Sequence, residues 1–168
     1  DHLRALERKG ALERRDTPHR SSRSLTPARS AGGAQKRPVP VLGRIAAGSP
    51  ILAEENREGD LNELPSAQGW QAPDVFALRV RGDSMVNAHI CNGDIVVVRK
   101  QDSAEPNDIV VAMIGDGPES EATVKRFLRD GPRVVLRPEH PTMEPIVVDP
   151  RESRFTILGK VIGLVRGV

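Results

Sequence analysis

Three short stretches of the sequence carry residue types from which a peptide-hydrolysing site can be assembled. In Gly82-Asp83-Ser84-Met85, the glycine permits a sharp turn after a strand expected to close at Arg81, which would present Ser84 at an exposed edge. Successive backbone N–H groups at Asp83 and Ser84 could then converge on a developing oxyanion. The same four residues also make a common turn. In Ala122-Thr-Val-Lys-Arg-Phe127, strand alternation puts Thr123, Lys125 and Phe127 on one face and Val124 and Arg126 on the other. A lysine that shares a face with phenylalanine is partly desolvated, which lowers its pKa and lets the neutral amine act as a base. Most strand lysines merely snorkel to solvent. A nucleophilic serine needs a base within hydrogen-bond reach, and a neutral lysine serves there in place of histidine.

The third stretch runs from Val39 to Pro50, where small Ala46, Ala47 and Gly48 are bracketed by Val41, Leu42, Ile45, Ile51 and Leu52. Small side chains let a backbone carbonyl approach a nucleophile without obstruction, so a scissile bond between Ala47 and Gly48 would suit a narrow cleft. A Gly/Pro-bounded loop opening the domain accounts for the same residues. Other chemistry finds little support. The four histidines, His2, His19, His89 and His140, are too scattered for a zinc site or a Ser-His-Asp arrangement, and one cysteine forms no internal disulfide. No metal or cofactor is therefore expected. Cys91, two residues from His89, is expected in the core rather than as a nucleophile, and Trp70 either rims a cleft or covers the core.

The elements that must position these residues are short strands. Alternation or β-branched runs predict them at 76–81, 94–99, 108–114, 122–128, 133–137, 146–148 and 155–165, punctuated by Gly, Asp and Pro. The 168 residues suffice for one domain and a tail, and 38% hydrophobic content can bury a core. Three Phe, one Trp and no Tyr weaken any reading based on aromatic stacking, such as a single-strand-binding platform. The longest aliphatic run, Ile109 to Ile114, is far short of the roughly 20 residues that span a bilayer, so no membrane association is expected. Charge is uneven: residues 1–40 hold ten Lys/Arg against four Asp/Glu, and the remainder fifteen against nineteen. In the basic tail, Leu3, Ala5 and Leu6 with Lys9-Gly10 read as the last turns of a helix. Residues 11–15 and 20–23 flank the turn-like Asp16-Thr17-Pro18-His19 and read as a basic hairpin, and residues 24–38 read as a solvated linker. Asp1 in place of Met implies a start upstream.

Taken in order, these segments resemble the LexA-type repressors, self-cleaving transcription factors of the bacterial DNA-damage (SOS) response within a Ser-Lys peptidase clan. The resemblance implies a mainly β, signal-peptidase-like domain at residues 39–168, preceded by the remnant of a winged helix-turn-helix at 1–23 and the linker at 24–38. It assigns Ser84 as nucleophile, Lys125 as general base and Ala47-Gly48 as the bond cut. Residues 2–10 resemble the end of a recognition helix whose base-reading part lies upstream, the hairpin resembles its wing, and Ile157 to Val165 matches a dimer-forming region. The partners implied are a RecA filament on single-stranded DNA, operator duplex DNA and a second copy, in a cytoplasmic, nucleoid-associated protein. A signal-peptidase-like protease acting in trans and a non-cleaving phage-type dimerisation module are the alternatives. One departure is the 41-residue spacing from Ser84 to Lys125, with 115–120 forming an enlarged loop.

Overall fold

The computed structural model describes residues 37–62, 70, 72–117 and 119–167, and the backbone of two short strands nearer the N-terminus. The chain divides between Lys36 and Arg37 into two compact units. In the first, β1 (Leu12–Arg14) pairs antiparallel with β2 (Leu25–Pro27), Leu12 lying opposite Pro27. A hairpin is thus present, but its second arm is not 20–23. It lies inside the stretch 24–38 expected as linker, because Leu25 and Thr26 suit a ladder better than Arg-Ser-Ser-Arg, whose serines compete for the backbone in turns. The expected helix end at 2–10 lies outside the described residues.

The second unit is built on one nine-stranded sheet. Its strands are β3 (Val39–Leu42), β4 (Arg57–Leu61), β5 (Val75–Arg79), β6 (Ile95–Lys100), β7 (Ile109–Ile114), β8 (Ala122–Asp130), β9 (Arg133–Arg137), β10 (Ile146–Val148) and β11 (Phe155–Val165). They lie in the order β10-β9-β8-β7-β11-β6-β5-β3-β4, antiparallel except between β3 and β5. The mainly β expectation holds, and the last three strands fall where the sequence places them. β5 starts at Val75 and ends at Arg79, two residues short of the expected Arg81. Its pattern is continuous rather than alternating: Phe76 and Leu78 enter one apolar cluster, Val75 and Ala77 another. A strand buried on both faces needs no polar positions.

β11 is shared between two neighbours. Phe155 to Lys160 pairs with β7, Gly159 to Val165 pairs with β6, and each pairing carries a register shift beside a glycine. The strand passes so close to β6 at Gly159 that a Cβ there would stand 2.5 Å from the Arg99 carbonyl oxygen. Trp70 lies over Gly163 in the cluster of Val39, Val41, Val75, Ala77 and Val97, so it covers the core. Past β3 the chain crosses to the far half of the sheet: Ala122 N–H donates to Ile45 O (2.9 Å) and Ala47 N–H donates to Ser120 O (3.0 Å), with Ala46 opposite Glu121. This three-residue pairing ties the two halves together a second time, besides β11.

Candidate active site

Ser84 sits on a loop, residues 80–94, whose neck is closed by Val80 N–H to Asp94 O (2.8 Å) and Gly93 N–H to Val80 O (2.9 Å). Gly82 takes φ +78°, a left-handed turn that a side chain would strain, and its N–H donates to Asn92 Oδ1 (2.9 Å). Met85 is buried in the main cluster and plugs the loop onto the sheet. On the opposite limb, the buried Asp94 carboxylate accepts the Cys91 N–H (2.7 Å) and a two-pronged contact from Arg166 (2.7 Å each), which also donates to His89 O (3.0 Å). The Arg166 guanidinium holds the Asp94 carboxyl below its usual range. Cys91 is exposed, against the expectation of a core position, because the loop spends its backbone N–H on Asp94 and turns the thiol outward.

Lys125 projects from β8 opposite Val110, on the face that also carries Thr123 and Phe127. Phe127 packs with Val110, Ala112 and Leu136, so the lysine stem rises from an apolar floor and the residue is 8% exposed. Its Nζ stands 2.9 Å from Ser84 Oγ, 2.8 Å from Thr123 Oγ1 and 3.0 Å from the Val124 carbonyl oxygen. Burial pushes the Lys125 pKa below its ordinary value. A serine hydroxyl and a desolvated amine at this separation have the geometry of a nucleophile and its base. Among the described residues the Asp83 and Ser84 N–H groups have no protein acceptor, which leaves both free for an oxyanion. The cleft, about 170 Å³, opens between Gly43–Ile45, Leu78–Arg81, Ser84 and the start of β8.

The structure brings Ser84 and Lys125 together but not Ala47 and Gly48 with them. Those two line a separate cavity with Ile51, Met113, Arg154 and Leu158. Ala46 is paired with Glu121, four residues before Lys125, which is about 13 Å of extended strand. The segment is parked there by the two backbone bonds and by an ion pair from Arg44 to Glu121. The loop at 115–120 takes part, since Ser120 supplies one acceptor. Thr123 and the Val124 carbonyl are site groups to which sequence patterning assigns no role. A hydroxyl two residues before a strand lysine is the available signal for the first, whereas a carbonyl has no sequence signature.

The peptidase S24-like family matches residues 40–162. The LexA repressor of Myxococcus xanthus is 45% identical over 175 residues, covering 99% of this chain and 77% of that protein. The chain is a LexA-type member of the peptidase S24-like family. The LexA repressors of Pelotomaculum thermopropionicum (48% over 169 residues, 99% and 77% covered) and Lactobacillus delbrueckii subsp. bulgaricus (44% over 165 residues, 98% and 76% covered) are similarly close. The family match takes in Ser84, Lys125, the parked segment and most of β11. No helix among the described residues is long and apolar enough to cross a membrane.

Proposed function

We propose that this LexA-type protein represses genes of the DNA-damage response and is inactivated by cutting its own Ala47-Gly48 bond when a RecA filament on single-stranded DNA favours the closed segment. The observation that carries the reading is the 2.9 Å approach of a buried, pKa-lowered Lys125 amine to the Ser84 hydroxyl. Neutral Lys125 takes the Ser84 proton as Oγ attacks the Ala47 carbonyl carbon, and the Asp83 and Ser84 N–H groups hold the oxyanion. The bond to Gly48 breaks as the Lys125 ammonium protonates the leaving amine, and a water deprotonated by Lys125 then releases the Ala47 acyl group from Ser84. Thr123 and the Val124 carbonyl keep two amine protons engaged, so the lone pair faces Ser84.

Reaction requires the parked segment to travel to the cleft, and a filament that binds only the closed form raises its population by mass action. The dimer forms through β11, whose Val161–Val165 portion pairs, among the described residues, with β6 on one side only. Operator DNA is the partner of the N-terminal part, in the bacterial cytoplasm and on the nucleoid. The test is incubation of the purified chain from pH 7 to about 10, then mass measurement. An ordinary lysine is neutral in only about one molecule in a few thousand at pH 7, so the rate of appearance of residues 48–168 should climb with pH and be independent of protein concentration. Ser84→Ala and Lys125→Ala should stay whole. A rate proportional to concentration, or wild-type cutting by either variant, overturns the reading.

A further inference from the structure

We propose that hydrolysis of Ala47-Gly48 leaves the two products joined, with β3 of the N-terminal product retained as an interior strand of the C-terminal one. The inference rests on the proposed self-cleavage and concerns the fate of its products. β3 precedes the bond, while both its sheet neighbours, β4 and β5, lie beyond it in the chain. The cut therefore gives one product a strand whose seat lies entirely in the other. Val39 and Leu42 are each 1% exposed, Ile45 2% and Val41 4%. Val39 and Val41 pack with Val75, Ala77 and Val97, whereas strand alternation puts Leu42 on the opposite face with Phe76 and Leu78, where Ile45 joins it.

The backbone is engaged on both sides. Val39 to Leu42 pairs antiparallel with β4, Val41 and Leu42 pair parallel with Ala77 and Leu78, and Gly43 N–H donates to Asn56 O (2.9 Å). β4 is exposed along Arg57–Asp60 and has no other strand partner among the described residues, so withdrawing β3 strands β4 and opens the edge of β5. Hydrolysis touches none of these contacts, because the broken bond lies beyond Ile45. The groove between β4 and β5 is a strand-addition site whose ligand is an apolar segment of the pattern Val-x-Val-Leu-x-x-Ile. Chemistry and separation are then two events, and the N-terminal unit parts from the dimer only when the strand is withdrawn.

The test makes the nick independently of Ser84. A recognition sequence for an unrelated endopeptidase is inserted between Ala47 and Gly48 of the Ser84→Ala chain, the chain is cut, and both pieces are tracked by native gel filtration and by denaturing electrophoresis. They should co-elute at the position of the uncut chain for hours while running as two bands once denatured. Val39→Ala with Val41→Ala should shorten that retention at least tenfold while the uncut double variant keeps its β-sheet circular dichroism. Should the uncut double variant not fold, Val41→Ala alone is read in the same way. Separation of the nicked parent within the run, or no change in retention with the valines truncated, overturns the proposal. Wild-type protein that never cuts itself, beside a nicked chain that co-elutes, overturns the cleavage reading and leaves the retained strand standing.

Discussion

A buried ammonium with three oxygen acceptors is fully hydrogen-bonded yet still poorly solvated, and Lys125 is in that position. Because burial lowers its pKa, the unfolded chain binds a proton that the folded chain releases between the lowered value and the ordinary one of 10.5. The contribution of this residue to stability therefore rises with pH through that window and is least favourable below it. Lys125→Met should be more stable than the parent at pH 7 by about 1 kcal/mol, a few degrees in Tm, with the gap closing towards pH 10. Urea midpoints at several pH values measure this, and a gap of constant size would mean that ionisation is not its source. Local signals mark Ser84 and Lys125 as candidates, a glycine turn for the first and alternation beside Phe127 for the second, and it is the family resemblance that chooses them over a common turn and a snorkelling lysine. What holds Ser84 in place is not legible, since Asp94 and Arg166 meet across 72 residues of chain.

At the scale of elements, the parked segment and β11 show what short-range patterning misses. Strand β3 contains Pro40 and reads as a loop, while Arg-Glu-Gly-Asp-Leu of β4 has no apolar alternation and is a strand only because β3 supplies its ladder. The parking pairing is weaker than either. Its side-chain component is the Arg44–Glu121 ion pair, about half exposed on both sides and hence worth well under 1 kcal/mol. Removing it with Glu121→Ala should release the segment and speed self-cleavage about twofold at fixed pH; an unchanged or slower rate would show that the pair does not restrain the segment. Gly159 carries the opposite weight. With a backbone oxygen 2.5 Å from where its Cβ would be, Gly159→Ala must displace β6 or β11. A loss of about 2–4 kcal/mol by urea unfolding is expected, and a loss below about 0.5 kcal/mol would contradict the close approach.

Across the whole molecule, Ser84 belongs to the half of the sheet formed by β6, β5, β3 and β4, and Lys125 to the half formed by β7 to β10. The one full strand between the halves is β11, which is also the final described strand along the chain. The order of strands in the sheet thus differs from the order in which a ribosome makes them. Ser84, Lys125 and the proposed scissile bond are all made before Phe155, the first residue of β11. Until β11 follows, the two halves lack the full strand that joins them, so in the proposed reaction a growing chain carries Ser84, Lys125 and Ala47-Gly48 without an assembled site. Ribosome-bound chains ending before Phe155 should remain uncut at alkaline pH, whereas chains extended by a linker long enough to clear Val165 from the exit tunnel should cut. In the proposed reaction, placing the joining strand after Ser84 and Lys125 confines cutting to chains in which β11 has already been made, a timing set by translation rather than by any inhibitor.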